Sequence, residues 1–175
     1  LELEYIRRTR FRIQFGAQMP NIFAFAKWVG SPIVLGTGRP TLFLHIAWIA
    51  EPEVWKLAID EALNSNPNLQ IILLYDYAMM PEKKAFELAN NMWHKWNNHR
   101  ISISMSPTWY KVFGDIHSGI LAVFCDEKGV VRHIEPYPHL RVSPYWSEEV
   151  ADWRPKLHQA VKKVLDKFFT KGQGR

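Results

Sequence analysis

The stretch Gly38-Arg39-Pro40-Thr41-Leu42-Phe43-Leu44-His45-Ile46-Ala47-Trp48-Ile49-Ala50-Glu51-Pro52-Glu53-Val54-Trp55 decides the fold class. Thr41 to Ala47 is a nearly unbroken apolar run, the pattern of a strand buried on both faces. Pro52 sits where a first-turn helical proline belongs, because its fixed φ suits the helix and its missing N–H is one that would go unpaired there anyway. Val54, Ala58, Ile59, Ala62 and Leu63 fall on one helical stripe, and Asn64-Ser65-Asn66-Pro67-Asn68 ends it. A buried strand running into an amphipathic helix is the opening of a parallel sheet.

Downstream the pattern repeats. Leu69 to Tyr75 is a second buried strand, and Pro81 opens a second helix whose wide apolar face is Ala85, Phe86, Leu88, Ala89, Met92, Trp93 and Trp96. Asn97-Asn98-His99 stops it. Ile101 to Met105 is a third strand, and Ser106-Pro107 makes an N-cap and N1 pair for a short helix through Phe113, which Gly114 closes. Ile120 to Cys125 and Val130 to Ile134 flank the turn Asp126-Glu127-Lys128-Gly129 as a β-hairpin. Residues 136–147 are an extended connector with Pro136, Pro138 and Pro144, and a last helix runs over about 152–170. Upstream, Phe11, Ile13 and Phe15 alternate with polar residues as a short strand. Gly16 to Gly38 is irregular, with Ile33-Val34-Leu35 as one arm of a small hairpin.

The chain has 175 residues, 47% of them hydrophobic and 22% charged, which suits one globular domain. Its net charge of +5 is unevenly placed. Residues 1–12 carry a net +2 and residues 154–175 a net +6, whereas the body between them carries −3. Basic ends on an acidic body fit an anionic membrane surface or an acidic partner. They do not fit nucleic-acid binding, since no basic patch interleaves with the aromatic residues of the body. Arg7-Arg8-x-Arg10-x-Arg12 is the kind of cluster that follows a membrane anchor on its cytoplasmic side. No run approaches the ~18 apolar residues of a spanning helix.

There is one cysteine, Cys125, in the apolar strand Ala122-Val123-Phe124-Cys125, where a thiol is expected to be buried and inert. None of the seven histidines shows a metal-ligand spacing; His45 falls within the first buried strand. Without a Cys-x-x-Cys-His, a phosphate-binding glycine loop or a Gly-x-Ser-x-Gly, no cofactor and no catalytic residue is expected. The Asp and Glu residues are too scattered to form a catalytic carboxylate pair.

The element order resembles that of the thioredoxin-like proteins. Within them the chain is most similar to the membrane-anchored TlpA type and its MauD-like members, accessory proteins of methylamine utilisation. Gly16-Ala17-Gln18-Met19-Pro20-Asn21-Ile22, Gly38-Arg39-Pro40-Thr41-Leu42 and Cys125-Asp126-Glu127-Lys128-Gly129-Val130-Val131 carry the likeness. It implies an α/β three-layer sandwich over residues 16–170, with a central mixed sheet, a closing β-hairpin and a C-terminal helix. Residues 1–15 would then be a basic arm with a strand, and 171–175 a flexible basic tail. The family's two cysteines would fall at Glu51 and Val54, on either side of a retained Pro52. Its cis-proline would fall just before the fourth strand, where this chain reads His117-Ser118-Gly119-Ile120. Glu51 can profit from the helix dipole, but a carboxylate cannot exchange disulfides.

The resemblance therefore implies a redox-inactive member, a structural or accessory subunit held by protein partners in a hetero-oligomeric, membrane-associated complex. Trp48, Trp55, Met79, Met80 and His117 are the candidate partner contacts around the former active site, and Tyr145 and Trp146 on the connector are a second set. Two alternatives stay open. One is an enzyme or small-thiol-binding protein using Glu51, His117 and Ser118; the other is an assembly factor for a cofactor-bearing oxidoreductase.

Overall fold

The computed structural model describes residues 13–23, 26–46, 52–78, 80–114 and 119–137, with positions 159, 162, 163, 166 and 167 of the last helix. These residues form β1 (Lys27–Val29), β2 (Thr41–Ile46), α1 (Pro52–Ser65), β3 (Gln70–Asp76), α2 (Glu82–Trp96), β4 (Ile101–Ser106), α3 (Trp109–Phe113), β5 (Ile120–Cys125) and β6 (Val131–Pro136). The strands make one mixed sheet in the order β1-β4-β3-β2-β5-β6. β2, β3 and β4 are parallel, with Thr41 opposite Gln70 and Ile71 opposite Ile101. β1, β5 and β6 are antiparallel to their neighbours.

The steps from β2 to β3 to β4 cross the sheet in one direction, so right-handed crossovers place α1 and α2 on the same face. There Ile59, Ala62 and Leu63 of α1 and Ala85, Ala89 and Met92 of α2 pack on Leu42, Leu44, Leu73 and Ile103. The opposite face carries Phe43, Ile72, Leu74, Val123 and Cys125. It is covered by Trp109, Val112 and Phe113 of α3 and by Ile13, Met19, Ile22 and Ile33 of the N-terminal segment. A strand with a packed layer on each side has no polar face, which is why β2 and β3 read as unbroken apolar runs.

Several expectations shift. Ile13 is buried while Phe15 is 72% exposed, so they do not share the face that a strand over Phe11–Phe15 requires. The chain instead turns at Gly16 (φ +81°), which meets the hairpin through its own N–H to Val131 O (2.7 Å). Residues 11 and 12 lie outside the described residues. Ile33-Val34-Leu35 is not a strand. The strand in that region is β1, whose three residues are too few to show a period. α3 begins at Trp109, because Ser106 completes β4 and its hydroxyl accepts the N–H of Thr108 (3.1 Å). Leu88 is 40% exposed, so the apolar face of α2 is narrower than its sequence suggests. β6 extends to Pro136, which an edge strand tolerates. The described positions of the last helix are helical, and Lys163 Nζ lies 3.6 Å from Glu135 Oε1 of β6. Of the expected arm over 1–15, residues 1–12 lie outside the described residues, as does the expected tail over 171–175.

The close of α1 depends on a side chain from the far side of the next βα unit. The last turn of α1 has no basic residue. Arg100, which immediately precedes β4, fills that role. Its guanidinium donates to Leu63 O (3.0 Å), Asn66 O (2.8 Å), Pro67 O (3.1 Å) and Leu69 O (3.3 Å). A planar fork of donors suits several carbonyls at once, and the positive charge complements the helix C-terminus. Burial pulls the Arg100 guanidinium below its ordinary value, and the nearby charge of Arg39 adds to that. Arg100→Ala should lower stability by about 2–4 kcal/mol in urea unfolding, since it strands carbonyls that receive charged donors. Arg100→Lys should recover only part of that loss.

The hairpin turn is organised by Asp126. Its Oδ1 accepts the N–H groups of Lys128 (2.9 Å) and Val130 (3.0 Å), and its Oδ2 accepts Arg132 Nε (2.9 Å). Burial pushes the Asp126 carboxyl up, but the Val130 N–H, the Arg132 side chain and the Lys128 N–H together hold it below its ordinary 3.8. A depressed carboxylate contributes stability that is present above its unfolded value and is lost as pH falls through its folded value. Stability of the native chain should therefore drop more steeply below about pH 4 than that of Asp126→Ala, as read from urea midpoints across an acid series.

Candidate functional site

The parallel strands β2, β3 and β4 end at one edge of the sheet, where open α/β folds place their working groups. α1, which follows β2 in the chain, starts at Pro52. Trp48, Glu51, Met79, His117, Tyr145 and Trp146 lie outside the described residues. Pro52, Val54 and Trp55 form the first turn of α1, and only their backbone is described. Ile120 is the first residue of β5, opposite Pro136, and packs half-buried against the core that α3 covers. Met80 is half-buried against the other core, and its Sδ accepts the hydroxyl of Tyr75 (3.7 Å).

The polar groups that the structure assembles at this edge are mostly ones the sequence did not single out. His45, one residue before the end of β2, is 1% exposed. Asp76, the last residue of β3, presents Oδ2 at 3.9 Å from His45 Nε2. Asp76 Oδ1 accepts the N–H of Ala78 (2.9 Å), and Oδ2 accepts the N–H of Tyr110 in α3 (2.6 Å). The ring of Phe113, at the other end of α3, stacks on His45 at 5.5 Å between centroids. Tyr137 presents its ring edge to His45 at 6.1 Å, and its hydroxyl donates to His45 O. On the neighbouring strand Ser104 is opposite Leu74, and Ser106 is opposite Asp76. The Ser104 carbonyl accepts the indole N–H of Trp109 (2.9 Å). Asp76 was legible only as a charge closing an apolar run, and Tyr137 only as an aromatic among prolines.

Cys125 is at the other end of the sheet. It pairs with Thr41, the first residue of β2, whereas α1 follows the last in the chain. It is fully buried, and burial, with a smaller contribution from the charge of Asp126, pushes its thiol up to about 12. Among the described residues no group of three or more His, Cys, Asp or Glu side chains is placed to hold a metal. No described helix is long and apolar enough to cross a membrane.

No family model matches the chain, and no curated protein does. Solved structures do. A mitochondrial 2-Cys peroxiredoxin from Plasmodium falciparum aligns over 93% of this chain and 98% of its own, with a TM-score of 0.50 and 12% identity. A thiol peroxidase from Chromobacterium violaceum aligns over 88% of this chain and 87% of its own, at 0.49 and 15%. A thiol-disulfide isomerase from Corynebacterium glutamicum aligns over 91% and 96%, at 0.47 and 11%. The fold is thioredoxin-like: a mixed six-stranded α/β sheet with helices, as the first of these likenesses shows. At such identity the likeness extends to the backbone and not to the chemistry.

A buried, protonated thiol reacts slowly. Cys125 should label with a thiol reagent at least ~100-fold more slowly in the native chain than in denaturant, as followed by absorbance or intact mass.

Proposed function

We propose that this chain is a thioredoxin-fold protein without thiol–disulfide activity. On this reading it acts as a structural or accessory subunit of a larger, membrane-associated protein complex. One observation supports it above the others. Positions 51 and 54, flanking the retained Pro52, are Glu and Val, and the chain's one cysteine is sealed in the core at the opposite end of β2. Disulfide exchange and peroxide reduction both begin with an accessible thiolate. A thiol raised to about 12 and closed off from solvent offers none near neutral pH.

A scaffold that keeps its proline and helix start but loses both sulfurs retains a docking edge and no electron transfer. The Trp and Met residues at 48, 55, 79 and 80 suit a lasting protein contact there. The likeness to the TlpA and MauD-like proteins, and the basic termini, favour a membrane-associated setting.

Purified chain should reduce insulin disulfides and turn over peroxide no faster than buffer, with Cys125→Ser indistinguishable from it. Extracted from its native source in mild detergent, the protein should migrate on native gels with other polypeptides that mass spectrometry identifies. Dithiol or peroxide turnover lost in Cys125→Ser, or a lone 20.5 kDa monomer in the extract, would overturn the proposal.

A further inference from the structure

Two polar groups on the inner face of the sheet are buried with their hydrogen-bonding capacity unmet. Both ring nitrogens of His45 and the hydroxyl of Ser104 lack a partner. They flank Leu74, opposite it on either side, one step below Asp76. An unmet buried donor or acceptor costs about 1–3 kcal/mol, so a ring that leaves both nitrogens unpaired calls for a reason. Asp76 Oδ2, at 3.9 Å from Nε2, lies just outside hydrogen-bond reach.

We propose that His45 and Asp76 form a buried proton-binding site, and that the proton it takes up repositions α3. A neutral imidazole meets Asp76 with at most one weak donor. Protonated, it carries two N–H groups and a full charge, and among the described residues Asp76 is the carboxylate within 4 Å that can answer it. Drawing Nε2 and Oδ2 into hydrogen-bond range requires one of them to move by about 1 Å. The oxygen that would move is the one that holds the Tyr110 N–H at the first turn of α3. The ring that would move is stacked on Phe113 at the last turn of the same helix. Either displacement is therefore felt by α3, which touches the pair at both of its ends.

Among the described residues few groups compete for the pair. From α3, Tyr110 is 45% exposed and the amine of Lys111 lies over its ring. From β5, Cys125 shares this face of the sheet but pairs with Thr41 at the far end of β2. The hydroxyl of Tyr137 is committed to the His45 carbonyl, which anchors the strand end while the ring responds. In β6, His133 and Glu135 are paired with each other at 2.6 Å. The proposal is independent of the thiol-inactive reading, since it uses no sulfur and no partner.

The test is a pH titration of the full chain, uniformly labelled with nitrogen-15. It follows the ring nitrogens of His45, the amide of Tyr110 and the indole N–H of Trp109 by NMR. The expected result is conversion of the His45 ring to imidazolium while the chain remains folded, with Tyr110 and Trp109 shifting at the same midpoint. In His45→Asn the Tyr110 shift should be lost. In Asp76→Asn the ring should still titrate while Tyr110 no longer follows it. A His45 ring that stays neutral until acid unfolding would overturn the proposal. So would a ring that titrates while Tyr110 and Trp109 stay still, or a Tyr110 shift that survives in His45→Asn. The native titration decides the matter even where a variant fails to fold.

Discussion

The architecture depends on β2 having strands on both edges and packed layers on both faces. Thr41 through His45 are between 0% and 1% exposed, with β3 hydrogen-bonded on one side and β5 on the other. A strand so placed pairs its backbone polar groups with strands on both sides, and the Tyr137 hydroxyl takes up the His45 carbonyl where the β5 pairing has ended. It also sets the two cores, since Leu42 and Leu44 face α1 and α2 while Phe43 and His45 face α3. Because β2 is central, its carboxyl end falls in the middle of the sheet edge, between its parallel neighbour β3 and its antiparallel neighbour β5.

Supports from distant parts of the chain hold this frame. Arg100 reaches from just before β4 to close α1, and Asp126 gathers the hairpin that returns β6 alongside β5. The indole N–H of Trp93 in α2 donates to Ile101 O, while Gly30 runs so close to that ring that a Cβ there would lie 2.5 Å from the indole nitrogen. Gly30 also has a positive φ of +85°, so a side chain at this position would be strained on two counts. These contacts join segments far apart in sequence, so the sheet edge where β2, β3 and β4 end is held by the whole domain.

The long apolar runs and the proline-opened helices were readable because their signals are local and repeat over many residues. β2, α1, β3, α2, β4 and β5 stand within a residue or two of where periodicity puts them. The short elements were not readable. Three residues of β1 carry no period, and the alternation at Phe11–Phe15 is undone by the turn at Gly16. That Glu and Val occupy positions 51 and 54 was legible, because it is a matter of sequence alone. The polar cluster of His45, Asp76 and Tyr137 was not, because its members are separated by dozens of residues and none lies in a motif.

The sequence by itself determined the class of fold. Hydrophobic period and helix punctuation act over neighbouring residues, and one cysteine in an apolar strand excludes a dithiol site. Only the tertiary structure decided which polar groups meet. Parallel pairing set the register that puts Asp76 beside His45, and α3 folded over both, with Tyr110 and Phe113 at its two ends. Register and helix placement depend on packing across the whole sheet, and no stretch of chain encodes them alone.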